Sequence, residues 1–322
     1  MDVGYQALRE GAAWLDLSAR GRLRATGEDR ARWLHAMLSN HVLQLQPGRG
    51  CYAFLLNPQG RILADLNLLC GDDYFLLDTE PETRRSCFQH LERHIVADDV
   101  TLQDTTEDTT ALGLEGPLAD AVLRALSAPV PEADYSHAEW WPTGLVARLS
   151  STGAPGFALF SSRAERAGLI ARLESAGAVS ASPEAARIVR IEHGRPRFGE
   201  DFTLRHLPQE TQLLHALHFN KGCYLGQEIV ERIRARGGVH RFLERLSIDA
   251  KEPPPPGARI IAAGKEVGEL ASAVWSPATR QVLALGYLRL GEFPPDAPLQ
   301  AAGHPVRRLA VRSPVPDRTA DR

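Results

Sequence analysis

Residues 219–232 read FNKGCYLGQEIVER, in which a lysine and a cysteine flank a glycine just before an amphipathic stretch. The apolar residues of that stretch follow a helical period, so the pattern predicts a helix that begins shortly after Cys223. Backbone N–H groups at a helix start and the ammonium of Lys221 both favour an anion, and we expect a reactive thiolate at Cys223. Lys221 and Cys223 are the candidate catalytic residues, and Gln227 can bind first-turn amides or a ligand. The alternative is that Cys223 is a small buried apolar residue and Lys221 a solvated charge.

A second candidate lies upstream, where residues 190–202 read RIEHGRPRFGEDF. The pattern predicts a helix over residues 183–191, and Glu192 follows it at the entry to a glycine-rich and proline-containing loop. A carboxylate in that place can accept hydrogen bonds from a heterocycle with adjacent N–H donors. The alternative is a salt bridge from Glu192 to Arg190 or Arg195.

Hydrophobic patterning over the first half of the chain predicts two mixed α/β units. The first combines predicted strands at residues 17–26, 51–56, 61–69 and 74–77 with helices at residues 28–38 and 82–95. The second combines predicted strands at residues 100–103, 111–114, 145–149 and 157–160 with helices at residues 117–126 and 163–176.

The clearest domain boundary is the run of four prolines at residues 253–256, which cannot continue a helix or a central strand. Beyond it the pattern predicts a small all-β barrel with short strands and no helix. These strands are expected at residues 259–262, 269–275, 281–288 and 306–311. We therefore expect an α+β protein with two subdomains in residues 1–245, a β-barrel in residues 246–312 and a flexible tail in residues 313–322.

Composition excludes several classes of protein. The 322 residues carry 37 Lys and Arg against 40 Asp and Glu, a net charge of -3, so no overall field attracts a polyanion. A local stripe at Arg232, Arg234, Arg236 and Arg241 could meet phosphates, but a solvated helix face explains it better, and we do not expect direct RNA binding. The four cysteines show no metal-ligand spacing, so no metal site is predicted. No stretch has the length of a signal peptide or a membrane span, which indicates a cytoplasmic protein without membrane association.

KGCYLGQE, residues 221–228, resembles the signature of the YgfZ-type folate-binding proteins, relatives of the glycine cleavage T-protein, an aminomethyltransferase. The flanking segments keep the family's order: LDLSARGRLRATGEDRARWLHAMLSN at residues 15–40, YAFLLNPQGRILADL at residues 52–66, RIEHGRPRFGEDF, and LPQE at residues 207–210. The resemblance covers most of residues 15–245.

The resemblance implies a ring-like arrangement of two α/β subdomains and a barrel around a cleft that binds tetrahydrofolate. It makes Glu192 the acid that holds the pterin, places Lys221 and Cys223 in the same region, and adds Tyr224 and Gln227 as cofactor-binding candidates. It also implies a role in maturing or maintaining iron-sulfur enzymes, including those that thiolate transfer RNA, with such client proteins as partners. We therefore expect the sulfur of Cys223 and the carboxyl group of Glu192 to border one pterin-sized hollow.

One departure separates this chain from the T-proteins, which carry paired acids in GG(I/V)(L/I)DDL where residues 60–66 read GRILADL. Only Asp65 remains, a further cofactor-binding candidate, and alignment places Ala64 at the acid that T-proteins use near the folate nitrogen. The preferred hypothesis is therefore a tetrahydrofolate-binding factor for assembly or repair of iron-sulfur enzymes. The alternative is a folate-dependent aminomethyl or one-carbon transferase, for which Asp65 would be essential.

Overall fold

A computed structural model describes residues 2–140, 144–236, 238–289 and 291–309. The helices are α1 Val3–Glu10, α2 Arg30–Met37, α3 Arg84–Glu92, α4 Ala119–Ala125, α5 Arg166–Ser175, α6 Pro183–Glu192 and α7 Gln227–Arg236. The strands of the α/β part are β1 Ala13–Asp16, β2 Gly21–Thr26, β3 Arg49–Leu56, β4 Ile62–Cys70, β5 Phe75–Thr79, β6 Thr101–Asp104, β7 Thr109–Glu115, β8 His137–Trp140, β9 Gly144–Ala147, β10 Gly156–Ser162 and β11 Val179–Ser180. The strands of the last part are β12 Phe242–Ile248, β13 Arg259–Ala262, β14 Lys265–Ser276, β15 Gln281–Leu288, β16 Leu299–Ala301 and β17 His304–Arg308.

The first unit is an antiparallel sheet in the order β3-β4-β5-β2-β6, with α2 and α3 packed against one face. Strands β3 and β4 form a hairpin around the turn at residues 57–60, and Gly60 closes it with a φ of 70°. A Cβ at Gly60 would lie 2.7 Å from the Cβ of Ile229 in α7, so this turn requires glycine for two reasons. The same contact places the hairpin turn against α7.

The second unit is a six-stranded sheet in the order β11-β1-β7-β10-β9-β8. Its first strand in sequence is β1, so the chain starts in this sheet and then crosses to the first one. The single strand predicted at residues 17–26 is therefore wrong in its first half, because residues 17–20 form the crossing between β1 and β2. Helix α1, which the pattern did not predict, packs through Tyr5 and Leu8 against α6.

The last unit is a closed barrel in the order β12-β15-β14-β13-β16-β17, filled by aliphatic side chains. The fold class is thus confirmed: mixed α/β units followed by a β-barrel. The pattern missed β12, which spans the expected boundary between residues 245 and 246, and β16. The strand predicted at residues 306–311 ends at Arg308, while the rest of that prediction beyond residue 309 and the predicted tail at residues 313–322 lie outside the described residues.

Helix α6 connects the units. It begins at the N-cap Ser182, whose side chain accepts the Ala185 N–H, and Pro183 occupies the first turn. Its apolar residues pack against α1 on one side, and Ile191 packs against Val274 and Leu283 of the barrel on the other. The C-terminal end of α6 is thereby fixed between the α/β part and the barrel. None of the helices in the described ranges combines the length and the hydropathy that crossing a membrane requires.

Candidate functional site

A cavity of about 1300 Å³ lies where the two α/β units and the barrel meet. Strands β4 and β5 of the first unit line one wall, and residues 148–156 of the second unit line another. The chain just after α6 and the start of β12 close the remaining side. All three units therefore contribute to one chamber.

Asp65 and Asn67 line this cavity from alternate positions of β4. The hydroxyl of Tyr52 donates to Oδ2 of Asp65 at 2.7 Å, and the amide of Asn67 donates to Oδ2 of Asp78 at 2.7 Å. The remaining oxygens, Asp65 Oδ1 and Asn67 Oδ1, are buried and accept no hydrogen bond from any described residue. Buried polar atoms are normally paired, so these oxygens are two acceptors available to a ligand with N–H or O–H donors.

The electrostatic surroundings set the charge of Asp65. Burial raises its pKa to about 6, and the negative charge of Glu80 adds to the effect. Burial also opposes ionisation of Glu80, but Arg20 and Arg197 outweigh it and hold the pKa of Glu80 below its usual range. Glu80 therefore stays charged, whereas Asp65 can exchange a proton near neutral pH.

Ala64 lies on the opposite face of β4 from Asp65. It is fully buried in the apolar core beneath α2 and α3, together with Leu66 and Leu68. Successive residues of a strand point to opposite faces, so a side chain at position 64 is directed away from the cavity and the one at position 65 towards it. The inference that Ala64 removes the acid next to a bound ligand is therefore wrong, because the position that lines the cavity keeps its carboxylate.

Aromatic rings flank these acceptors. The rings of Tyr52 and His215 stack with centroids 5.3 Å apart and an interplanar angle of 30°, and Tyr135 lines the same part of the cavity. Burial, with the charge of Arg195, lowers the pKa of His215 to about 4, so this imidazole is neutral at pH 7. Burial also raises the pKa of Tyr135 to about 12. Neutral flat side chains beside a carboxylate suit a planar heterocycle.

A buried carboxylate holds the loop that forms the second wall. Glu115, at the end of β7, accepts hydrogen bonds from the hydroxyls of Ser150, Ser151 and Thr152 and from the backbone N–H groups of the last two. Its own side chain is fully buried, while the three residues that it binds line the cavity. Glu115 therefore fixes the shape of the wall without lining it.

Glu192 is directed away from the cavity. Its carboxylate accepts hydrogen bonds from the Tyr5 hydroxyl at 2.6 Å, from Arg9 at 2.8 Å and from the Ser276 hydroxyl at 2.6 Å. It thus joins α1, α6 and the barrel, and the salt bridge runs to Arg9 instead of the neighbouring arginines. The residues that line the cavity here are the next five, residues 193–197.

Lys221 and Cys223 also lie apart from the cavity. The buried ammonium of Lys221 donates to the carbonyls of His35 and Leu38 at the C-terminal end of α2, and burial lowers its pKa to about 8. Cys223 is exposed, whereas Cys70 and Cys87 are buried. Neither Glu192 nor Cys223 lines the chamber, so the expectation that they border one hollow is wrong. Their proposed roles in binding and chemistry stay predictions.

Tyr224 and Gln227 shape the loop before α7. Tyr224 is buried with Phe54 and Leu56 beneath the first sheet, and the Lys221 ammonium lies 4.7 Å from its ring centroid. Gln227 accepts the Tyr224 N–H through its side-chain oxygen at 3.1 Å. Neither lines the cavity, so a cofactor contact at either residue stays a prediction as well.

Three arginines of the stripe, Arg232, Arg234 and Arg241, are paired with neighbouring acids. Arg232 donates to Glu228 at 2.5 Å, and Arg234 approaches Glu231 at 3.4 Å. Arg241 donates to Glu210 at 3.0 Å. Within the described residues, no three His, Cys, Asp or Glu side chains are arranged to hold a metal ion.

Sequence reasoning missed most of the residues that form the chamber, among them Tyr52, Asn67, Tyr135 and His215. One signal was present: Asp65 and Asn67 stand two residues apart in the otherwise apolar run ILADLNLL, so both had to share one face of a strand. Tyr135 and His215 carried no such signal, because only the tertiary fold brings them beside Tyr52.

The fold and the chamber define a three-part α/β and barrel architecture, and comparison with known proteins gives it a family. Residues 2–221 match the N-terminal domain of the glycine cleavage T-protein, and residues 241–313 match its C-terminal barrel domain. The chain therefore belongs to the glycine cleavage T-protein family.

Individual relatives are distant but cover most of the chain. A chloroplastic protein of Arabidopsis thaliana described as a candidate transferase is 28% identical over 89% of this chain and 68% of its own length. An aminomethyltransferase of Rubrobacter xylanophilus is 28% identical over 88% of this chain and 78% of its own length. The crystal structure of aminomethyltransferase T from Bartonella henselae superposes with a TM-score of 0.87 at 22% identity, covering 97% of this chain and 88% of that one, which shows a shared fold.

Proposed function

We propose that the chamber binds a reduced folate and that the protein transfers a one-carbon group there, as an aminomethyltransferase-like enzyme. The observation that carries the proposal is the pair of unpartnered buried acceptors, Asp65 Oδ1 and Asn67 Oδ1, beside the stacked rings of Tyr52 and His215. A pterin is flat and presents several N–H donors, so it matches both features. Membership in the T-protein family and relatives named as aminomethyltransferases support the same reading.

The residues present fit this cofactor. Tyr52 and His215 supply flat neutral faces, and Asp65 supplies a charged acceptor for ring N–H groups. Tetrahydrofolate, when bound, would supply N5 and N10 as the nitrogens that carry a one-carbon unit. Asp65 has its pKa raised to about 6, which lies near working pH, so its free oxygen can accept a proton from a ligand nitrogen and return it. Tyr52 holds the other oxygen of this carboxylate and so fixes its orientation.

Calorimetry with tetrahydrofolate under anaerobic conditions tests the proposal. Asp65→Asn should weaken binding roughly 10- to 100-fold, because it removes a charged acceptor of about 1.5–3 kcal/mol and leaves side-chain volume unchanged. Glu192→Gln is the comparison variant: its carboxylate is directed to Arg9 and Ser276, so we expect less than a threefold change. A larger loss of folate affinity in Glu192→Gln than in Asp65→Asn would instead support binding of the pterin at Glu192.

Turnover distinguishes transfer from binding alone. Wild-type protein incubated with tetrahydrofolate and an S-aminomethyl thiol donor should form methylene-tetrahydrofolate, with release of ammonia and the free thiol, and Asp65→Asn should abolish this product. Tight folate binding without any product would show that the protein binds folate but would contradict the transfer step.

A second candidate function is assembly or repair of iron-sulfur enzymes in the cytoplasm, including those that modify transfer RNA, as the YgfZ-type signature implies. The specific observation in its favour is the exposed thiol of Cys223 within KGCYLGQE, accessible to a client protein. Cys223→Ser should then fail to restore activity of a tRNA-thiolating iron-sulfur enzyme in cells that lack the protein. Cys51→Ser is the matched control, because that thiol is partly buried and its pKa is raised to about 12. Full complementation by Cys223→Ser would remove the thiol from the mechanism.

A further inference from the structure

Arg195 differs from the other arginines that line the chamber. Eight arginines line it, and seven of them donate to a carboxylate or a backbone carbonyl; Arg166, for example, donates to Asp16 at 2.6 Å, and Arg187 to Glu200 at 2.7 Å. Within the described ranges, the guanidinium of Arg195 has neither a hydrogen bond nor an ion pair. A half-buried cation without a partner inside a cavity is a binding group for an anion.

The backbone that carries Arg195 is rigidly placed. Gly194 turns the chain after α6 with a φ of 69°, and the Arg195 N–H donates to the Arg190 carbonyl at 3.0 Å. The buried guanidinium of Arg190 donates to the Arg195 carbonyl at 2.6 Å and also binds Asp201. The position of the Arg195 backbone is therefore set by a buried network, while its own side chain is left for the chamber.

The described neighbours of Arg195 form no ion pair with it. Its charge acts on Tyr52, Tyr135 and His215, which are neutral at pH 7 because burial raises the pKa values of the two phenols and lowers that of the imidazole. It also acts on the carboxylate of Glu80, but the ion pairs of Glu80 are made with Arg20 and Arg197. Asp134, whose charge acts on Tyr135 and His215, is exposed and forms no ion pair with Arg195 among the described residues. Among the described residues, the guanidinium of Arg195 is thus left without a direct partner next to the aromatic part of the proposed folate site.

We propose that Arg195 forms a subsite for a carboxylate of a ligand bound in the chamber. A guanidinium matches a carboxylate with two parallel hydrogen bonds, which a lysine cannot reproduce. Two sources supply this chemistry: the glutamyl tail of the folate, or a small amino acid that binds beside it. Room exists for both, since the 1300 Å³ chamber exceeds the roughly 300–1,000 Å³ of ordinary ligand pockets. The assignment to the folate tail rests on the proposed function, whereas the existence of a carboxylate subsite at Arg195 does not.

Calorimetry on the full chain separates these possibilities with four probes: tetrahydrofolate, 6-methyltetrahydropterin, which has no carboxylate, glycine, and glycinamide. The variants are Arg195→Gln and Arg195→Lys, with Arg166→Gln as a matched control that removes an equal charge already paired with Asp16. Loss of a charge-assisted pair should weaken a carboxylate probe roughly 10- to 100-fold in Arg195→Gln. Arg195→Lys should recover only part of the loss, and Arg166→Gln should change binding less than threefold.

Each pattern of results decides the matter. Weaker tetrahydrofolate binding with unchanged 6-methyltetrahydropterin binding assigns the subsite to the glutamyl tail. Weaker glycine binding, with glycinamide unaffected, assigns it to an amino acid. If Arg195→Gln weakened binding of charged and neutral probes equally, or of neither, the proposed carboxylate subsite would be overturned. The proposed folate function would still hold in that case if wild-type protein binds 6-methyltetrahydropterin. Wild-type protein that binds glycine through Arg195 but neither pterin would contradict the folate proposal alone.

Discussion

Replacing Asp65 with asparagine should stabilise the ligand-free protein at neutral pH while it weakens folate binding. Asp65 is buried, and its pKa is raised from 3.8 to about 6 by burial and by the charge of Glu80. In the unfolded chain the same carboxyl group ionises near 3.9. Between about pH 4 and pH 6 the folded protein therefore binds more protons than the unfolded chain, and stability falls as the pH rises.

The magnitude follows from the shift. About two pKa units at 1.36 kcal/mol each place the cost of the ionised Asp65 near 3 kcal/mol above pH 6. Asparagine carries no charge, and its carbonyl oxygen can still accept the Tyr52 hydroxyl. We expect Asp65→Asn to gain about 1–3 kcal/mol in the free energy of unfolding at pH 7, and to lose this advantage below pH 4, where the wild-type acid is protonated in both states.

Urea unfolding at pH 7 and at pH 4, followed by circular dichroism, measures both values on the ligand-free protein. Asn67→Asp is an informative companion, since it adds a second carboxylate two residues along the same face and should destabilise the protein at pH 7. An Asp65→Asn variant that is less stable than wild type at pH 7, or whose advantage does not depend on pH, would refute the view that this carboxylate is held ionised at a cost.

Three further variants test the surroundings of the chamber. Glu115→Ala leaves five donors of the loop at residues 150–152 without their acceptor and should lower the free energy of unfolding in urea by about 3 kcal/mol or more. Folate affinity should fall as well, because this loop forms one wall of the chamber. Unchanged affinity would show that the loop does not contact the ligand. Lys221→Met removes the ammonium from the last carbonyls of α2 and should lower the free energy of unfolding by about 1–2 kcal/mol. The folded fraction should bind folate as wild type does. Loss of folate binding in that fraction would support a catalytic or binding role for Lys221. Glu192→Gln breaks the salt bridge to Arg9 and should lower stability by about 1–3 kcal/mol; a variant as stable as wild type would show that the carboxylate does not hold the barrel in place.

Local pattern was sufficient for much of the fold. The run of prolines at residues 253–256 and the short strands after it predicted the barrel, and the apolar spacing of residues 183–191 predicted α6 within one residue. Those features are local, because a proline or an amphipathic stripe acts over a few neighbours. The break between β1 and β2 was not local: both strands suit a sheet, and only their pairing with different partners, β7 and β5, separates them.

The site was harder to predict for the same reason. The environment of Glu192 is set by Tyr5, 187 residues away, and by Ser276, 84 residues away, so nothing near it in the sequence shows that its carboxylate is already fully bonded. A carboxylate at the end of a helix beside glycines has the same local pattern whether it binds a ligand or joins two domains. The polar pair on β4 was different, because the two-residue period of a strand alone places Asp65 and Asn67 on one face.

That period also changes how the loss of one acid from a paired motif should be judged. Two adjacent residues of a strand point to opposite faces, so only one of two neighbouring acids can line a chamber that lies on one side of the sheet. In β4 that residue is Asp65, while Ala64 packs beneath α2 and α3, where an ionised group would be costly to bury. The substitution at position 64 therefore bears on the apolar core, and the chemistry available in the chamber depends on position 65. Comparison of the motifs by residue type alone leads to the opposite conclusion, because it notes the loss of one of two acids without considering which face of the strand each position occupies.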